Sequence, residues 1–197
     1  MFLSCTTSAA PLCLAATLSF LVGTPSGGAA SGQVRVNPDA ALAVEFAKRV
    51  EAYLAIHKKA VDGLPKLSKE STPQEIDEHQ RALARAIQLL RPRAKAGDIF
   101  TKDIRAYLRR QLAAVFAGPD GRKLRSSIMD ENPGPIRVSA NGRYPDTVPL
   151  ATMPPQVLAA LPALPDEVEF RFIADRLILL DVPAHLIVDY IEDALPR

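Results

Sequence analysis

Apolar side chains recur at intervals of three and four residues along the first part of the chain, which predicts amphipathic helices. The first helix extends over about 38–62. The second begins where Thr72 and Glu75 have the spacing of a capping box, and the third begins after Thr101. A shorter fourth helix covers roughly 120–130. Helices in this order with short loops predict an antiparallel bundle or a pair of helical hairpins.

The pattern changes after residue 132. Eight of the 17 prolines fall between Pro133 and Pro165, so this segment has no room for long helices. The pair Asn141-Gly142 is typical of a tight hairpin turn between two short strands. A brief helix is predicted from Pro155 through Leu161.

Strict alternation of apolar and charged residues then predicts a β-hairpin over about 167–180. If Ile173 pairs with Arg176, Phe170 faces Leu179 on one side of the hairpin. Ile178 points to the other side, which therefore also needs an apolar cover. A lone hairpin is marginal in water, so we expect it to pack on the helices with another element behind it.

The segment after Asp181 has two interpretations. Ile187, Tyr190 and Ile191 fit a helical stripe, and Asp181 has the chemistry of its cap. The run Leu186–Val188 also suits a strand, but we favour the helix. The predicted fold class is α+β, with antiparallel helical hairpins and a C-terminal β-hairpin. We divide the chain into a signal peptide at 1–30, a helical region at 31–132, and a proline-rich segment, hairpin and C-terminal helix at 133–197.

The first 30 residues have the pattern of a secretory signal peptide. The apolar run AAPLCLAATLSFLVG is followed by small residues, and cleavage fits after Ala30. The run is shorter than the roughly 20 residues of a spanning helix. We therefore expect a periplasmic or secreted protein with no transmembrane span in the mature chain, and with neither Cys5 nor Cys13 retained.

Several phrases of the chain resemble a family of uncharacterised exported bacterial proteins. They are Ala94–Thr101 (AKAGDIFT), Asn141–Pro145 (NGRYP), Leu179–Val182 (LLDV) and Leu186–Tyr190 (LIVDY). The resemblance covers about residues 50–196. It implies a location in the bacterial envelope, and it implies no activity, cofactor or catalytic residue.

The charges fall into blocks. Residues 81–127 carry 12 basic and 3 acidic side chains, whereas residues 128–197 carry 5 basic and 11 acidic ones. The basic block is suited to an anionic partner such as a lipid surface, an envelope polymer or an acidic protein. Alternatively, the acidic third folds back over it within the same molecule. Nucleic acid is not expected, because aromatic side chains are not interleaved with the basic ones.

The histidines are the only candidate metal ligands. In an antiparallel hairpin, His57 and His79 lie at about the same level, where Glu75 or Glu78 is a possible third ligand. A structural zinc site usually needs four ligands, and no cysteine or third histidine is near. We therefore predict no metal and no cofactor, and expect His57 and His79 to line a helical hairpin.

The sequence has no G-x-S-x-G elbow and no phosphate-binding glycine pattern, so catalysis is not favoured. The proline-spaced segment, Arg143–Pro165, is the candidate partner surface, through Arg143, Tyr144, Leu150 and Met153. Alternatively, this segment wraps the helices and contributes to the core. We expect a non-catalytic envelope protein that binds another protein or an anionic surface. The alternatives are a small metal- or carboxylate-dependent hydrolase and a structural module that forms a homo-oligomer.

Overall fold

The protein is described by a computed structural model over residues 37–131 and 136–196. The predicted signal peptide at 1–30 lies outside the described residues. The elements follow the order α1 Pro38–Asp62, α2 Pro73–Leu90, α3 Lys102–Phe116, α4 Gly121–Asp130, β1 Gly142–Arg143, α5 Pro155–Ala160, β2 Val168–Ile173, β3 Arg176–Asp181 and β4 Leu186–Ile191. The predicted α+β class is confirmed.

The helices begin where the sequence predicts. Asn37 accepts a hydrogen bond from the amide of Asp39, and Thr72 and Glu75 form a reciprocal capping box. Thr101 accepts a bond from the amide of Ile104 at the start of α3. These side chains satisfy amides that the first helical turn leaves without partners, so local chemistry sets the N-termini.

The four strands form an antiparallel sheet in the order β1-β4-β3-β2. Ile173 pairs with Arg176, and Phe170 pairs with Leu179, as predicted for the hairpin. The predicted C-terminal helix is wrong, because Leu186–Ile191 forms β4 beside β3. The predicted hairpin at Asn141-Gly142 is also wrong. Gly142 and Arg143 pair instead with Ile187 and Leu186 of β4.

Both faces of the sheet are buried. One face packs on the helices, where the rings of Phe46, Phe100 and Phe170 stack with centroids 5.8–6.4 Å apart. The other face forms a smaller core that includes Ile178 and Tyr144. The predicted cover behind the hairpin is therefore confirmed, and the proline-spaced segment supplies it.

A buried carboxylate anchors the loop that precedes α3. Asp189 of β4 accepts hydrogen bonds from the amides of Gly97, Ile99 and Phe100 at 2.8–2.9 Å. Gly97 has a φ of +95°, which a residue with a β-carbon rarely adopts. The loop before α3 is thus held on the sheet by backbone amides that would otherwise lack partners.

Candidate functional site

A second buried carboxylate, Asp181, lies at the centre of a polar cluster inside the main core. Its Oδ2 accepts the hydroxyl proton of Tyr53 at 2.5 Å and lies 2.6 Å from Nδ1 of His57. Its Oδ1 accepts the amide of Ala184 at 2.8 Å. Asp181 is wholly buried, so these donors replace its hydration.

The backbone explains how these three side chains meet. Tyr53 and His57 are four residues apart on α1 and therefore share one face of the helix. Asp181 is the last residue of β3, and the turn after it returns the chain to β4. The helix and the sheet thus contribute opposite halves of the cluster.

The cluster raises the pKa of both Tyr53 and His57. The hydrogen bond to Asp181 raises the pKa of His57, which favours an imidazolium beside the carboxylate. Burial and the same carboxylate raise the pKa of Tyr53, which therefore stays a neutral donor. The guanidinium of Arg91 lies 5.0 Å from the centre of the Tyr53 ring.

The outer edge of His57 lies on a surface depression of about 470 Å³ that is also lined by Glu51, Lys58, Asp62 and Glu167. With Nδ1 held by Asp181, Nε2 has no hydrogen-bond partner among the described residues, and it is not fully buried. The ring can hold or transfer a proton at Nε2. The lining of this depression has no serine, threonine or cysteine, so the ring has no side-chain nucleophile to activate there.

The two candidate metal ligands are placed apart. His79 lines a different depression with Lys66, Glu75 and Glu78, and the two depressions share no residue. Within 37–131 and 136–196, no three histidine, cysteine or acidic side chains lie close enough together to hold a metal ion. His57 and His79 were predicted to lie at the same level of a helical hairpin. Among the described residues they do not form a metal site with a third ligand.

The candidate partner residues of the proline-spaced segment divide into two groups. Tyr144 and Met153 are buried in the protein's own cores, so their side chains present little surface to a partner in this conformation. The Tyr144 ring stacks on His185 with centroids 5.2 Å apart, and its hydroxyl donates to the carbonyl of Pro149. Leu150 is 47% exposed and remains available to a partner.

Arg143 is engaged within the molecule. Its Nη2 donates to Asp146 at 2.8 Å and to Gln80 of α2 at 3.3 Å. The Arg143 guanidinium lowers the pKa of Asp146, which also pairs with Arg81. Burial lowers the pKa of the neighbouring His185. Arg143 thus links β1 to α2 by a hydrogen bond. These contacts within the molecule account for the conformation of its side chain, and no partner protein is needed to explain it.

Most of the basic block has no acidic neighbour. Of its 12 members only Arg81 and Arg110 have a carboxylate within 4.0 Å among the described residues. Only the pair of Arg81 with Asp146 involves the acidic third of the chain. The acidic third of the chain was considered as an internal partner of the basic block. Among the described residues it forms an ion pair with the block only between Asp146 and Arg81.

Part of this block lies on α3 and on the loop that precedes it. Lys102, Arg105 and Arg109 are spaced three and four residues apart on α3, so they lie on one side of the helix. The guanidinium of Arg105 lies beside Gly97, just after the loop that carries Arg93 and Lys95. Arg109 donates to the backbone carbonyl of Glu192 and has no carboxylate partner in the part of the chain that the structure describes. We call these five residues the cationic surface.

Asp181 and Asp189 are two site residues that the sequence pattern did not identify. Each is an acidic residue inside or at the end of an apolar strand, and carboxylates are rarely buried without specific donors. An acidic residue inside or at the end of an apolar strand is the sequence feature that indicates a buried carboxylate. It predicts a carboxylate with buried donors but does not identify Tyr53 and His57 as the partners of Asp181.

Comparison with family models, with curated proteins and with solved structures finds no match to this chain. None of the helices in the described residues combines the length and apolar character needed to cross a membrane.

Proposed function

We propose that this chain is an exported, non-catalytic binding protein of the bacterial envelope that uses its cationic surface to hold an anionic partner. The observation that carries the proposal is the set of basic side chains around α3 that have no carboxylate partner within residues 37–131 and 136–196. Unpaired cations at a protein surface attract anions over roughly a Debye length, about 8–10 Å at physiological salt. The signal-peptide pattern supports export.

Binding to anionic vesicles tests the cationic surface. We expect the protein to bind vesicles that contain phosphatidylglycerol and not vesicles of phosphatidylcholine alone, with affinity falling as salt rises. Each basic side chain near an anionic membrane contributes about 1 kcal/mol. The triple substitution Lys102→Gln, Arg105→Gln, Arg109→Gln should therefore reduce the partition coefficient on the order of 100-fold.

The matched control removes the same charge elsewhere. Lys48→Gln, Lys59→Gln, Lys66→Gln alters three exposed lysines that have no ion pair among the described residues. We expect this variant to keep most of the binding, and thermal melts should show that both variants fold. Equal losses in the two variants would mean that net charge alone matters, and the cationic surface would have no special role.

Export needs a separate test. Residues 1–30 should direct a reporter that is active only outside the cytoplasm, and the N-terminus of the exported protein should follow Ala30. A reporter that stays inactive would remove the envelope from the proposal while leaving the anionic partner in place.

The His57–Asp181 pair favours one alternative, a carboxylate-assisted hydrolase. A buried carboxylate that orients an imidazole is the arrangement of a general base, and Nε2 lies on the depression where water can enter. Under this alternative, hydrolysis of chromogenic esters should fail in His57→Gln and persist in His79→Gln. Equal rates in both variants and in a buffer blank would remove it.

A further inference from the structure

A small apolar pocket lies between α1 and the loop that precedes β2. Its volume is about 380 Å³, within the range typical of small-molecule sites. Phe46, Val50 and Leu54 line it from the helix, and residues 163–165 line it from the loop. Glu51 is the only charged residue in this lining, so the pocket suits a ligand with an apolar body.

Contacts elsewhere in the molecule hold the walls of this pocket in place. The Phe46 ring stacks on the rings of Phe100 and Phe170, with centroids 5.8 and 5.9 Å apart. On the loop side, the ring of Pro165 restricts the backbone, and its carbonyl accepts the amide of Val168 at 3.2 Å. Binding to such a pocket requires little ordering of the protein, which favours affinity.

The pocket adjoins the depression beside His57. Glu51 and Leu54 line both spaces, so the two meet at this turn of α1. Asp62 at the end of α1 and Glu167 just before β2 also line the depression. Three carboxylates therefore lie in the space next to the apolar pocket.

Two of these carboxylates are unpaired within the described residues. Asp62 pairs with Lys58 at 3.0 Å, whereas Glu51 and Glu167 have no ion pair among the described residues, and both are exposed. The charge of a protonated His57 is opposed by the buried carboxylate that binds its ring. The depression therefore carries a net negative charge, which attracts cations.

We propose that the pocket binds a small amphipathic organic cation of the alkylammonium type. The apolar body of the ligand lies against Phe46 and Leu164, and its ammonium group lies in the depression near Glu51 and Glu167. This site goes beyond the proposed function, because its ligand is opposite in charge to the partner of the cationic surface. The pocket and the depression share no residue with that surface.

Size and charge distinguish this ligand from the alternatives. A specific protein interface covers about 800 Å² on each partner, whereas this pocket has the volume of a small-molecule site. A fatty acid or another amphipathic anion would place its head group against Glu51 and Glu167. Only a cation gains from the apolar lining and from the carboxylates together.

A homologous series of alkyltrimethylammonium salts, from butyl to octyl, provides the probe. Isothermal titration calorimetry of the full chain, below the micelle concentration, measures each affinity. We expect the affinity to rise up to about fourfold for each added methylene until the pocket is filled. Octanoate should bind roughly tenfold more weakly than octyltrimethylammonium, or not at all. Tetramethylammonium, which has no apolar body, should give no measurable binding.

Two substitutions on α1 test the location of the ligand. Ala47→Trp adds a large ring at an exposed position of the pocket lining and should abolish binding. Ala52→Trp, also exposed on α1 but outside this lining, is the matched control and should bind normally. Thermal melts should show that both variants fold. Binding that survives Ala47→Trp, or that is lost equally in both variants, would overturn the site.

The charge of the ligand is tested at the carboxylates. The double substitution Glu51→Gln, Glu167→Gln should weaken the binding of octyltrimethylammonium roughly tenfold. The control Glu70→Gln, Glu78→Gln removes two exposed carboxylates outside both spaces and should change the affinity by less than about twofold. Equal losses in the two double variants would overturn the cationic ligand. So would equal affinities of the unaltered chain for octanoate and octyltrimethylammonium.

Discussion

Two aspartates show what a single residue contributes to this molecule. Asp181 and Asp189 are both wholly buried, and each is surrounded by donors from other elements. A buried charge without donors costs several kcal/mol, so both residues require their partners to be in place when the chain folds. The two carboxylates therefore couple the helices to the sheet through hydrogen bonds as well as through apolar packing.

The first prediction concerns Asp181. Asp181→Asn keeps the volume but leaves one acceptor oxygen for three donors, and we expect it to lower the free energy of unfolding by about 3 kcal/mol. Urea denaturation measures this loss. Asp62→Asn, at an exposed pair with Lys58, is the control and should change stability by less than about 0.5 kcal/mol. Similar losses in both variants would contradict a special role for the cluster.

The second prediction concerns pH. His57 has a raised pKa, so its stabilising contribution is complete below 6.5 and is lost as pH rises through the folded pKa. His185 has a lowered pKa, so its contribution is complete above 6.5 and is lost as pH falls through the folded pKa. Stability should decline in both directions.

Urea midpoints measured from roughly pH 5 to 9 separate these two contributions. His57→Gln should remove the decline on the alkaline side. His185→Asn should remove the decline on the acid side, since asparagine tolerates the φ of +51° found at this position. A profile that neither substitution alters would contradict the assignment of both groups.

At the scale of elements, tight junctions decide how the helices follow one another. At Gly121, the first residue of α4, a β-carbon would lie 1.8 Å from the carbonyl oxygen of Phe116 in α3. The backbone of α3 therefore occupies the space that any other side chain would need. A larger residue at this position would therefore require α4 to move away from the end of α3.

The third prediction follows from that contact. Gly121→Ala forces the two helices apart and should cost about 1–3 kcal/mol, which a thermal melt will record as a lower Tm. Gly63→Ala is the matched control at the end of α1, where a β-carbon meets nothing closer than 3.5 Å. It should leave Tm nearly unchanged or raise it slightly. An unchanged Tm for Gly121→Ala would mean that the turn relaxes freely.

At the scale of the whole molecule, one sheet separates two cores. Leu179 faces the helices, whereas Ile178 faces the smaller core under the proline-spaced segment, and neither side chain is exposed. Burial on both faces accounts for the nearly continuous apolar sequence of β3. The segment after α4 is therefore part of the folding unit and covers a face that would otherwise be open to water.

The fourth prediction tests the second core. Ile178→Ala and Leu179→Ala should each lower the free energy of unfolding by about 2–5 kcal/mol. Leu89→Ala, at a side chain 81% exposed, should change it by less than about 0.5 kcal/mol. A small loss for Ile178→Ala alongside a large one for Leu179→Ala would show that the proline-spaced segment packs loosely on the sheet.

Local signals in the sequence determined the helix starts, the β2–β3 register and the need for a cover behind the hairpin. Caps such as Thr72 act within three residues, and the two-residue turn at Ala174-Asp175 fixes the pairing of everything on either side. The separation of a basic block at 81–127 from an acidic third at 128–197 also follows directly from the sequence. Such features depend on neighbours in the chain, so no knowledge of the fold was needed to predict them.

Only the tertiary structure decided the rest. The segment 186–191 is too short for its period to distinguish helix from strand, and pairing with β3 settles it. Asp181 forms hydrogen bonds with Tyr53 and His57, which are 128 and 124 residues away along the chain. No local sequence pattern predicts contacts over such separations. Among the described residues the basic block has few carboxylate partners, because the acidic third of the chain places a carboxylate within 4.0 Å of it only at Arg81. Each of these outcomes depends on which distant segments come into contact, and the packing of the whole chain sets that.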